Sequence, residues 1–149
     1  MLIGLVGEAP NDTLSIKYLL SNRYPSNQFG YCFLLNRING SQLDSQKTKR
    51  FLRIEYESKK PDLVIFIRDL DSLKSDGEQI RKRKDYFSNF NSVVDRKGFY
   101  LLNIYEIEAL ILADIETFNM LYNCGIPAIE EPMDVEEPKE FLISRSRDY

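Results

Sequence analysis

The 149-residue sequence has no histidine and only two cysteines. It has no apolar run near the ~20 residues that a bilayer-spanning helix requires. Without imidazole there is no His-activated nucleophile and no His-rich zinc site. Cys32 and Cys124 lie far apart in apolar contexts. They read as two buried thiols in a reducing cytoplasm, with a bridge between them as the alternative. No signal segment, internal repeat or low-complexity tract is visible, so no membrane association is expected. Positive charge is also not in excess: 20 Lys and Arg stand against 23 Asp and Glu. No global basic field marks the chain as a nucleic-acid binder.

That average hides a split. Residues 128–140 carry six acids (Glu130, Glu131, Asp134, Glu136, Glu137, Glu140) against Lys139 alone. Taking their net −5 from the total of −3 leaves +2, so the rest of the chain is mildly basic. The length fits one domain with a real core. The expected organisation is an α/β domain over residues 1–127 and an acidic, loop-like extension over 128–149. The last six residues, SRSRDY, supply no closing element, which leaves the natural C-terminus open.

Short apolar runs alternate with helical patterns. Met1–Gly7 is fully apolar, as a strand buried on both faces would be. Asn11, Asp12 and Thr13 offer helix caps, and the helix runs to about Arg23 before Pro25. Phe29–Leu35 is a second strand and NRINGS (36–41) a loop. A polar, basic helix follows from Ser41 to Lys60. Leu63–Ile67 is the third strand. Residues 78–95 show a helical apolar stripe. Phe99–Ile104 is the fourth strand. A helix from Glu106 to about Leu121, apolar almost all round, is expected to be buried. Strand–helix alternation of this kind predicts an α/β fold with a mainly parallel four-stranded sheet and helices on both faces.

Ligands of such sheets bind beyond the carboxyl ends of the strands. Acids cluster there: Glu8 after strand one, Asp69 and Asp71 after strand three, Glu106 and Glu108 after strand four. The second strand instead ends near Asn36, Arg37 and Asn39. In extended backbone, residues 69 and 71 project to one face. Two like charges so close favour a cation between them, and a hard divalent ion with oxygen ligands suits them. The competing reading is a solvated turn in which an Asp caps the next helix.

These residues resemble the Toprim domain, the module shared by topoisomerases, bacterial primases, recombination-repair proteins and the overcoming-lysogenization-defect (OLD) nucleases. LIGLVGEAPND matches its apolar strand followed by Glu-Gly-x-x-Asp, with Glu8 and Asp12 at the acidic positions and Ala9 in place of the glycine. VIFIRDLD matches its second strand with the Asp-x-Asp pair, Asp69 and Asp71. No third acid follows at the spacing many members show. IYEIEALILAD (104–114) and EEPKEFL (136–142) further resemble short bacterial Toprim-like proteins of unknown function related to the OLD-type nucleases. Ile111 stands where those carry tryptophan.

The resemblance covers most of residues 1–142 and implies a Toprim-like, Rossmann-like fold. It implies a nuclease that uses Mg²⁺ or Mn²⁺ to cleave phosphodiester bonds in DNA or RNA, as a component of phage defence or a mobile element. Glu8, Asp69 and Asp71 would be catalytic, and Glu8, Asp12, Asp69, Asp71 and Glu108 would be metal ligands. Asp12 has helix capping as its rival role, and Asp114 reads more readily as a loop-bonding residue. Lys47, Arg50, Arg81, Lys82, Arg83 and Lys84, with Lys49 and Arg53 beside them, would hold phosphate backbone, unless they are simply a solvated face. Arg68 alternates away from the Asp pair and is expected to reach an acid on a helix. The alternative is a catalytically weak Toprim-like binding module that partners an ATPase. Topoisomerase and primase activities need further domains. A phosphorylated receiver domain is discounted because Glu ends the fourth strand.

Overall fold

The computed structural model describes residues 1–25, 27–38 and 40–146. Asn39 of the expected 36–41 loop, and the last three residues of the tail, lie outside the described residues. The fold is α/β, with an all-parallel four-stranded sheet flanked by helices. The elements are β1 (Leu2–Val6), α1 (Pro10–Arg23), β2 (Gly30–Phe33), α2 (Gln46–Lys59), β3 (Leu63–Asp69), α3 (Gly77–Asn91), β4 (Gly98–Asn103), α4 (Ala109–Ala113), α5 (Ile115–Tyr122) and α6 (Pro138–Arg145).

The strand order is β2-β1-β3-β4. Leu5 of β1 pairs with Phe33 on one side and Ile65 on the other. The chain leaves β1 toward β2, then crosses back to place β3 on the opposite side. The topological switch point therefore lies between the carboxyl ends of β1 and β3, where sheets of this type bind ligands. The two central strands are buried almost throughout. That is why their sequences are uninterrupted apolar runs rather than alternating ones.

By packing, the chain divides into two compact units. The first comprises Met1–Arg68 and Arg81–Leu101. Its core joins Val6, Leu34, Leu43, Leu52, Val64, Phe66 and Val94 to Tyr86 and Phe90 of α3. Each such apolar side chain, fully buried, contributes about 1.5–3 kcal/mol. α2 starts at Gln46, later than the expected Ser41. Ser45 Oγ accepts the Thr48 N–H at 3.1 Å and caps it there, while Gly40–Gln42 forms a separate 3-10 turn.

The second unit comprises Asp69–Ile80 and Leu102–Tyr149. Its own core is Leu112, Ile115, Phe118, Ile126 and Leu142. Asn119 fastens the turn after α5, donating to Ile126 O at 2.7 Å and accepting the Ile126 N–H at 2.9 Å.

Several expectations differ from this arrangement. The division does not fall at residue 127, because Leu142 packs with residues on both sides of that position. The acidic extension is not all loop. Pro138 opens α6, Glu140 sits in its first turn and Arg145 in its last, which suits the helix dipole. The single helix from Glu106 to Leu121 is two helices broken at Asp114, whose backbone (φ −122°, ψ 54°) is not helical. It is not buried all round: Ala113 is exposed, and Met120 and Leu121 are about three-quarters exposed. Cys32 and Cys124 are both free thiols and half-buried.

Candidate functional site

β3 runs two residues further than expected, to Asp69, so Arg68 is a strand residue. It is only 3% exposed. A buried guanidinium demands partners. Nε donates to Glu8 Oε1, and Nη1 donates to Asp44 Oδ1 at 2.8 Å. Its planar face lies over the Tyr86 ring, 4.4 Å from the centroid. Burial works against the charge, but Glu8, Tyr86 and Asp44 outweigh it and hold the Arg68 pKa above its ordinary value. Burial also pushes the Tyr86 hydroxyl up to about 12, against the pull of Arg68. Arg68 thus reaches Glu8 and a loop acid before α2, where an acid on a helix was expected.

Glu8 therefore stands at the switch point inside a cationic setting. Arg83 of α3 approaches the same carboxylate oxygen at 4.0 Å. Gly40 covers it from the β2–α2 connection: a Cβ at position 40 would stand 2.9 Å from Glu8 Oε2 and 3.1 Å from Glu8 Cβ. Asp12, the other acid of the first motif, is buried in the first turn of α1, and its Oδ2 accepts the Ala9 N–H at 2.8 Å. That is the capping role weighed against metal ligation.

In the second unit the electrostatics are reversed. Asp69 Oδ1 accepts from Asn103 Nδ2 at 2.9 Å. Asn103 is fully buried, and its Oδ1 has no hydrogen-bond partner among the described residues. Leu70 N donates to Asn103 O at 2.8 Å and Asp71 N to Tyr105 O at 3.2 Å. Asp71 (φ 55°) and Tyr105 (φ 60°) are both left-handed, a conformation that Asp adopts more readily than Tyr. The extended backbone assumed for the 69–71 pair thus ends at Asp69.

Glu106 and Glu108 follow β4 in the same unit. Glu108 precedes α4 instead of lying in its first turn, and it is half-buried. Burial raises the Glu106 pKa above its ordinary 4.5, the Glu108 carboxylate adds to this, and Asp71 contributes in the same direction. The Lys139 backbone N–H and ammonium oppose them.

Magnesium fits this donor chemistry. Asp69, Asp71, Glu106 and Glu108 are all oxygen donors, and the Asn103 amide oxygen is buried near Asp69 with no hydrogen-bond partner among the described residues. Among the described residues no three acids or thiols are grouped closely enough to hold a metal ion by themselves. Magnesium commonly uses only one or two carboxylates and keeps waters on its remaining positions.

The expected phosphate-contacting residues all belong to the first unit. Lys47 and Arg50 on α2, and Arg81, Lys82 and Lys84 on α3, are exposed. Arg83 is the exception: its side chain is 15% exposed and turned toward Glu8. Sequence reasoning placed Glu106 at a strand end without giving it a role, did not select Asp44 or Asn103, and left Arg68 outside the site. An arginine in an otherwise apolar strand was the one available signal, since it must be paired once buried.

No protein-family model matches the chain. No curated protein and no solved structure matches it either.

Proposed function

We propose that this protein is a Mg²⁺-dependent phosphodiesterase of Toprim-like type acting on DNA or RNA. The observation that carries this reading is the set of acids that follows β3 and β4, Asp69, Asp71, Glu106 and Glu108, with the Asn103 amide buried against Asp69. In this reading Asp69, Asp71, Glu106 and Glu108 supply the oxygen donors for Mg²⁺ or Mn²⁺. Asp12 keeps the Glu8 turn in place by capping α1. A bound ion of this kind neutralises phosphate charge and lowers the pKa of its water. Asn103 orients Asp69 through its amide, and the basic residues of α2 and α3 hold the phosphate backbone.

A second reading has its own support. Glu8 is ion-paired with Arg68, and Arg83 lies within 4.0 Å. A carboxylate already engaged by two arginines has its Oε1 occupied, which favours a catalytically weak binding module working with an ATPase partner.

Thermal-shift titration with Mg²⁺ and Mn²⁺ addresses the metal. Wild type is expected to gain stability, by mass action on the folded state, and the Asp69→Ala/Asp71→Ala double variant is not. Nicking of supercoiled plasmid and cleavage of structured RNA then separate the two readings. Metal-dependent cleavage supports the enzyme, and a metal response without cleavage supports the binding module. No metal response in wild type removes both assignments of the acids.

A further inference from the structure

A cleft of about 290 Å³ lies between the start of α2 and α3, lined among others by Asp44, Ser45, Lys49, Lys82, Asp85 and Tyr86. Two of its lining residues lead directly to Arg68. Tyr86 stacks on the guanidinium, and Asp44 holds Nη1. The two carboxylates on Arg68 are unlike. Glu8 is 22% exposed, whereas the Asp44 side chain is 61% exposed and belongs to the cleft lining. Glu8 keeps Arg68 paired from the inner side, so Asp44 is the exposed, replaceable one of its two carboxylate partners. An exposed carboxylate in such a contact is held weakly, because water competes for it.

We propose that this cleft is a phosphate-binding site in which Asp44 is a built-in, displaceable substitute for the phosphate. When a phosphate group enters, its oxygens replace Asp44 on the Arg68 Nη1 face. An arginine fork matches phosphate geometry as well as it matches a carboxylate. Lys49 and Lys82 offset the charge that the ligand brings, and the first N–H groups of the 14-residue α2 add a favourable dipole. Asp85 is the opposing charge in the cleft, and it limits affinity for multiply charged ligands. Glu8 keeps Arg68 oriented throughout. The phosphate is either a phosphodiester of a nucleic-acid backbone or free inorganic phosphate.

Calorimetric titration in EDTA tests this without metal or turnover, so its outcome is separate from that of the metal-dependent reading. The probes are inorganic phosphate and an unphosphorylated tetrathymidylate. Saturable binding is expected in wild type. It tightens about fivefold in Asp44→Asn and weakens about fivefold in Lys49→Ala and in Lys82→Ala, the scale of one partly exposed ion pair. Binding of the tetranucleotide alone identifies a backbone phosphodiester as the ligand, and binding of inorganic phosphate alone identifies a small anion. Each supports the site if the Asp44 response accompanies it. The proposal is overturned if wild type and Asp44→Asn both fail to bind either probe saturably, or if affinity ignores all three substitutions. The substituted side chains lie at or near the surface, and circular dichroism checks their fold. Lys49→Ala and Lys82→Ala carry the same test, so one well-folded lysine variant suffices.

Discussion

The two compact units treat acid in opposite ways. In the first, Glu8 is met by Arg68 and Arg83, and Asp44 shares the same guanidinium. In the second, Glu106 is crowded by Glu108 and Asp71, with Lys139 as the opposing charge. One unit has its cation built into β3. In the other, burial and neighbouring acids raise the Glu106 pKa and Lys139 opposes them. A carboxylate at a strand end is thus not informative alone, because its meaning depends on which cation the fold brings to it.

Breaking the built-in pair should have the largest effect. Arg68→Ala leaves Glu8 without its buried counter-charge and is expected to cost about 4 kcal/mol in urea unfolding. A loss under about 1 kcal/mol would show that water already screens the pair. Leu142→Ala asks whether the C-terminal segment is part of the second core, where Leu142 is fully buried. About 3 kcal/mol is expected, and near-neutrality would return that segment to the status of an appendage.

Gly40→Ala sharpens the first side of the comparison. Its methyl group would press on Glu8, so a loss of about 1 kcal/mol is expected, readable by chemical denaturation. An unchanged midpoint would mean that the Gly40 connection does not confine Glu8.

The smallest effect belongs to Glu106→Gln. A carboxyl whose folded pKa is raised favours the folded state while protonated. Its contribution is fully present below the unfolded value near 4.5 and is lost as pH rises through the higher folded value. Glu106→Gln should therefore stabilise the protein at pH 7, within about 1 kcal/mol, and the gain should vanish below pH 4. Melting curves across pH check it. A destabilised variant at pH 7 would mean that the Lys139 contacts outweigh the repulsion.

Much of the first unit was legible because local rules and the fold agree there. Leu2–Val6 and Leu63–Ile67 are apolar throughout, as central parallel strands must be, and α1 ends at Arg23 two residues before Pro25. The second unit was less legible. Ile107–Ala113 looks like one continuous buried helix, yet the chain breaks at Asp114 to form a separate small core. The acid run before Pro138 masked the helix that follows it. Asn103 gave no signal, since a single amide at a strand end shows its value only when fully buried beside Asp69.

The sequence by itself determined the α/β class, the alternation of strands and helices, and the placing of acids just after strands. Periodicity and chain punctuation are local properties, and they survive any arrangement of neighbours. Only the tertiary structure decided which charges offset one another, because Arg68 and Glu8 are 60 residues apart. Ion pairing depends on distance and burial, and both arise only when the sheet order β2-β1-β3-β4 sets two strand ends side by side.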